Sequence, residues 1–246
     1  MLPDVSVSPA ERRTQADLVE AKPHRWALSL PARLYRRVLR RWDVDKHIKE
    51  FCRPLTIDGH ENLEGVDNPL LIIANHTSHF DTPIILHALP RKIWGRTAIV
   101  AAADRMYRDR VKGMFHSLRY NAFPITRGGG REALSYSQWL LHNHWSLLIF
   151  PEGKRSRSGE LLPFRGGPAI LALGQQVPIL PLHIQGASNI LPAGEQHSRP
   201  AAVHVSIGAP FVLRDGTTIP EAKQRMADEV RALILARAQR RAPMLG

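Results

Sequence analysis

The sequence predicts one α/β domain with a largely parallel central sheet flanked by helices, preceded by a basic amphipathic helix. Three observations carry this expectation. From residue 54 onward, short apolar runs alternate with stretches of helical period, the pattern of a buried parallel sheet with crossover helices. At 246 residues and 43% hydrophobic, the chain suffices for one large core. Before residue 54, the segment WALSLPARLYRRVLRRW (26–42) has a four-residue apolar repeat interleaved with arginines.

In chain order, residues 1–23 read as a mobile arm, 24–53 as an amphipathic helical region and 54–246 as the main domain. In the helical region Leu30, Leu34, Val38 and Trp42 form a stripe, widened by Tyr35 and Leu39. Arg33, Arg36, Arg37 and Arg40 occupy the other side, and Pro31 suits the first turn. Two uses fit: the apolar stripe covers a core while the arginines are solvated, or it lies in an anionic membrane interface as a possible surface anchor. Strands are expected at 55–57, 69–74, 97–102, 121–126, 146–150, 178–184 and 202–208. Helices are expected at 83–89, 110–120, 131–143, 167–176 and 219–241.

Lysine and arginine number 34 against 22 acidic residues, a net charge of +12 that calls for an anionic partner. Cys52 is the only cysteine, which excludes an internal disulfide framework and a cysteine-based zinc site. The N-terminal stretch lacks the apolar segment of a secretory signal, and no apolar run approaches the roughly 20 residues of a membrane span. Membrane contact is therefore expected to be peripheral. A nucleic-acid partner is not expected, because no aromatic-rich stacking surface or binding motif accompanies the charge.

Ligands of open α/β sheets bind beyond the carboxyl ends of strands. Three polar clusters follow such ends: NHTSHFD (75–81), TRGGGR (126–131) and PEGKRSRSG (151–159). His76 and Asp81 would point apart on one continuous helix. With Pro83 in a helix's first turn and Asp81 or Thr82 as its cap, the preceding residues become a loop that can return Asp81 to His76. A carboxylate on one imidazole nitrogen makes the other a general base, here for a substrate hydroxyl. A metal held by His76, His79 and Asp81 lacks a second ligand cluster at suitable spacing. A purely structural turn remains open on this segment alone. Arg127 with the glycines after it offers a guanidinium and open N–H groups to an anion, or is an ordinary turn. Glu152 and Gly153 beside Lys154, Arg155 and Arg157 can receive a phosphorylated polyol, carboxylate to hydroxyls and cations to phosphate, or form a solvated basic loop. VPILPLHI (177–184) reads as an irregular or edge strand, apolar enough to line an acyl-chain channel or simply to be core.

The four segments NHTSHFD, FPITRG, FPEGKRS and VPILPL, in this order, resemble the motifs of the glycerolipid acyltransferase family, of the lysophosphatidic-acid acyltransferase type. The resemblance covers residues 55–210 or so and implies a glycerol-3-phosphate acyltransferase-like fold. It also implies acyl transfer from acyl-CoA or acyl-carrier protein to a lysophospholipid hydroxyl, foremost 1-acylglycerol 3-phosphate, at an anionic membrane surface on the cytoplasmic face. On it, His76 is the base and Asp81 its orienting acid. Arg127 binds phosphate, and Glu152, Gly153, Lys154 and Arg155 shape the acceptor site, with Asn75, Ser78 and Pro181 in support. Lys154 departs from the threonine common at that position. No metal or prosthetic cofactor is implied, the acyl donor being a co-substrate. The alternatives are acyl transfer to another lysolipid or alcohol, hydrolysis by the same base, or a non-catalytic basic lipid-binding domain.

Overall fold

The apolar runs pair into one seven-stranded sheet in the order β1-β7-β6-β2-β5-β3-β4. The strands are β1 Cys52–Asp58, β2 Leu71–Ala74, β3 Thr97–Ala102, β4 Ala122–Ile125, β5 Ser146–Ile149, β6 Ile179–Gln185 and β7 Ala201–Ile207. The structure, a computed structural model, describes residues 23–126, 134–191, 195 and 197–241; of the expected arm at 1–23, residues 1–22 lie outside them. Strands β6, β2, β5, β3 and β4 run parallel, and β7 and β1 form a reversed pair at one edge.

β2 lies mid-sheet, and every residue from Leu70 to Ala74 is fully buried. Strand side chains alternate between faces, so Ile72 and Ala74 pack into one core layer, Leu71 and Ile73 into the other. The helices are α1 Leu30–Leu39, α2 Asp45–Phe51, α3 Asp81–Ala88, α4 Arg91–Trp94, α5 Ala103–Met106, α6 Arg110–Tyr120, α7 Ser135–His142, α8 Gly166–Gln175 and α9 Ile219–Arg241. The first layer receives Val44, Ile48, Ile84, Ile85 and Ile93 from the α2, α3 and α4 side. The second receives Leu140, Leu171, Met226 and Val230 from α7, α8 and α9. Each such side chain contributes about 1.5–3 kcal/mol on burial.

The N-terminal region departs from a single continuous helix. A 3-10 turn at Arg25–Leu28 precedes Ser29, whose hydroxyl accepts the Ala32 amide to cap α1, and Pro31 sits in the first turn. A π-helical stretch at Arg40–Val44 then joins α1 to α2. The core-facing side of α1 is the arginine side, so the apolar stripe does not cover a core. Ala32 and Arg36 point inward, whereas Leu30, Leu34, Val38 and Trp42 are 45–77% exposed. The arginine side packs by stacking and by donation to carbonyls. Arg33 lies over Trp145 and Arg40 over Trp94, while Arg36 donates to the carbonyls of Ala27 at 2.5 Å and Ser117 at 3.4 Å. Burial, helped by Arg33, lowers the Arg36 guanidinium to about 10. Trp94 precedes β3 and Trp145 precedes β5, so α1 lies across the amino-terminal ends of the strands.

β6 is not an edge strand, contrary to the expectation from its prolines. It lies between β2 and β7, and Ile179 to Leu182 are buried in the core instead of lining an open channel. Pro181 is tolerated because its polar edge faces Gly208, just past the end of β7. The Gly208 N–H donates to the Pro181 carbonyl at 2.9 Å, and no return donor is required there.

His183, on the same strand, is buried with an unpartnered Nδ1. Desolvation, then the charges of Arg237 and His204, lower its pKa from 6.5 to about 4. The folded state therefore refuses a proton that the unfolded chain accepts. Stability is complete above pH 6.5, falls as pH drops towards 4, and the loss saturates near 3 kcal/mol. Thermal unfolding followed across that window should show this slope, and His183→Leu should flatten it.

Candidate active site

The loop after β2 is fixed from both sides. The Asn75 amide donates to the Ile184 carbonyl (2.9 Å) and accepts from the Ile184 N–H (2.8 Å), extending the β2–β6 seam past the end of β2. From Asn75, the chain turns back so that three donors converge on Oδ2 of Asp81. These are the Thr77 N–H at 2.7 Å, the Ser78 N–H at 2.8 Å and Nδ1 of His76 at 2.8 Å. Asp81 is fully buried, so the carboxylate is held by these bonds in place of water. Ser78 is buried, and its hydroxyl accepts the Phe80 N–H at 3.2 Å.

One detail of the expected local geometry is corrected. Asp81 is the first residue of α3, and Phe80 holds the N-cap position without a side-chain cap. Instead of capping α3, the carboxylate is consumed by the loop behind it. The first helical turn still suits an anion.

The tautomer follows from these contacts. A carboxylate already accepting two amide N–H groups is an acceptor for the imidazole as well, so Nδ1 carries the proton and Nε2 its lone pair. Among the described residues, Nε2 has no hydrogen-bond partner. The Phe150 ring stacks on the imidazole at 4.1 Å and 15°, and the side chain is 22% exposed. His76 is thus oriented by its buried edge and open at the other.

Glu152 acts differently from the expectation that its carboxylate receives substrate hydroxyls. It is 2% exposed, and both oxygens are occupied: Oε1 by the His76 N–H at 2.8 Å, Oε2 by the Leu162 N–H at 3.0 Å. Desolvation, opposed by those two N–H groups, raises its pKa from the usual carboxyl value. The residue positions the base by tying its backbone to the loop after β5. The Ser156 N–H adds a second tie, to the His76 carbonyl at 2.7 Å. Gly153 has φ +68°, and a Cβ there would meet the Arg165 side chain at 2.4 Å, so the turn requires glycine.

Lys154 and Arg155 are exposed on this loop. Burial, then the charges of Arg155, His76 and Arg105 against the pull of Asp81, keep the His79 imidazole below its ordinary value. The charges of Arg155 and Arg105 thus reach His79. Arg127 lies outside the described residues. Pro181, deep in β6, does not enter the loop cluster. Among the described residues no three His, Cys, Asp or Glu gather into a metal-holding set. Phe150, Ser156, Leu162 and Arg165 were not legible as site residues. Two act through backbone N–H groups that any residue supplies, and only the strand-end position of Phe150 could have signalled its role.

A histidine held on a buried aspartate with its other nitrogen open, at the carboxyl end of a mostly parallel sheet, has the geometry of a general-base site in an α/β fold. The model of the acyltransferase family matches residues 54–185, just over half the chain, and the chain belongs to this family. It is 27% identical over 175 residues to the 1-acyl-sn-glycerol-3-phosphate acyltransferase of Cocos nucifera, covering 66% of this chain and 51% of that protein. It is 29% identical over 171 residues to the human 1-acyl-sn-glycerol-3-phosphate acyltransferase alpha, covering 68% and 58%. The chain therefore spans about half the length of the curated relatives it matches. In fold it is similar to the 1-acyl-sn-glycerophosphate acyltransferase PlsC of Thermotoga maritima, with a TM-score of 0.60 and 23% identity over 82% of this chain and 76% of that one.

Proposed function

We propose that the protein transfers a fatty acyl group from a thioester donor, acyl-CoA or acyl-carrier protein, to the free hydroxyl of 1-acylglycerol 3-phosphate, yielding phosphatidic acid. The observation that carries this reading is His76, locked through Nδ1 onto buried Asp81 with Nε2 open. Nε2 takes the acceptor hydroxyl proton as its oxygen attacks the thioester carbonyl. Collapse of the tetrahedral intermediate breaks the C–S bond, and the imidazolium returns the proton to the departing thiolate. A thiolate leaves readily, so neither a metal nor a covalent acyl-enzyme is needed. Lys154 and Arg155, with Arg127 by family resemblance, meet the acceptor phosphate. The related proteins named above support this acceptor. Purified protein given labelled acyl-CoA and a panel of acceptors tests the reading. Labelled phosphatidic acid is the expected product, whereas labelled free fatty acid alone would mark a hydrolase.

The reading includes peripheral attachment at the cytoplasmic face of a membrane. Among the described residues no helix is long and apolar enough to cross a membrane. Support for surface attachment comes from the outward stripe of α1, and from Val111, Met114 and Phe115, exposed on α6 among Arg108, Arg110 and Lys112. Leu34→Asp/Val38→Asp should release the protein from anionic vesicles in a sedimentation assay; unchanged pelleting would remove α1 as an attachment element.

A further inference from the structure

At the end of the sheet opposite the catalytic loop, α1, α4 and the start of β3 enclose a cavity of about 360 Å³. Its cationic lining is Arg33, Arg36 and Arg37 from α1, with Arg91, Lys92 and Arg96 around α4, and among the described residues no acidic side chain lines it. The protein itself neutralises little of this charge. Arg36 is met by neutral carbonyls and Arg33 by the Trp145 ring. Arg96 donates to the Asn143 carbonyl at 3.1 Å, but its Nε is buried without a partner. Lys92 alone has a carboxylate, Asp67 at 3.7 Å on an exposed rim, and Arg37 and Arg91 form no ion pair among the described residues.

Six cations around one hollow make a preformed receptor for an anion. Guanidinium groups match the oxygens of phosphate, and the volume exceeds a bare ion and admits an esterified one. We propose that this cavity binds a phosphate ester, as a second anion site separate from the catalytic loop. Thr97, on its wall, opens β3 at the amino-terminal edge, whereas His76 follows the carboxyl end of β2. The ester belongs either to a phospholipid head group, whose chains would lie along the exposed Leu34 and Val38, or to a soluble phosphorylated compound.

Calorimetric titration of the full chain with inorganic phosphate, and with dihexanoyl phosphatidylglycerol below its micelle concentration, tests the site without relying on acyl transfer. Arg91→Ala/Lys92→Ala should weaken binding by about tenfold or more. Arg214→Ala/Arg225→Ala, which removes exposed cations elsewhere, should retain wild-type affinity, whereas Lys154→Ala/Arg155→Ala should abolish only binding at the catalytic loop and leave this site's affinity unchanged. Loss confined to the lipid identifies a head-group site, and loss of both ligands identifies a general phosphate site; either supports the proposal. Absence of binding to the wild type, undiminished affinity in Arg91→Ala/Lys92→Ala, an equal loss in Arg214→Ala/Arg225→Ala, or the disappearance of all binding in Lys154→Ala/Arg155→Ala overturns it.

Discussion

His76→Ala should lower the rate of acyl transfer by roughly 10²–10⁴ while leaving a folded protein. The two halves of this expectation come from different contacts. Chemistry is lost because Nε2 is the open acceptor at the loop. The fold persists because the backbone N–H and carbonyl of His76, which hold Glu152 and Ser156, survive the substitution. Asp81 also keeps its two amide donors from Thr77 and Ser78. Initial rates with labelled acyl-CoA, alongside circular dichroism of both proteins, make the measurement. A variant that turns over at the wild-type rate would remove His76 as the base.

Glu152→Gln should lower both stability and activity, although it preserves size and hydrogen-bonding capacity. The position requires two acceptors, since each carboxylate oxygen receives one backbone N–H. A glutamine amide supplies one oxygen, and its NH₂ would face the remaining donor. One buried N–H is left unpaired, at a cost of about 1–3 kcal/mol. The loop carrying His76 loses a tie to the loop after β5, so transfer should fall as well. Denaturant unfolding and rate measurements on the same preparation separate the two effects. Unchanged unfolding with reduced affinity for the acceptor would return Glu152 to the substrate-binding role assigned from its neighbours.

These cases show where sequence reading reaches. All seven strands were legible, because runs such as Leu70–Ala74 are apolar throughout and flanked by polar turns. The pairing of His76 with Asp81 was legible once Pro83 implied a helix start and a preceding loop. Which face of α1 meets the core was not, because periodicity defines two faces without choosing between them. Arg33, Arg36 and, just past the helix, Arg40 turn inward through partners spread from Trp94 to Trp145, contacts that no local pattern encodes. Glu152 was misread for a related reason. Its cationic neighbours in sequence pointed to solvent and ligand, while its own side chain is captured by amides ten and seventy-six positions away. Pro181 obeyed its rule through an exception at the strand terminus that only the register reveals.

The convergence on Oδ2 of Asp81 bears on how the substrate complex can be captured. A carboxylate that holds the imidazole and also folds the loop around itself cannot be removed without disturbing the loop that carries His76. The imidazole, by contrast, contributes one of three bonds and leaves by its exposed edge. An inactive protein meant to retain both substrates for crystallography should therefore be made at the histidine. Loss of turnover on changing the aspartate would mix chemistry with collapse of the loop and identify neither.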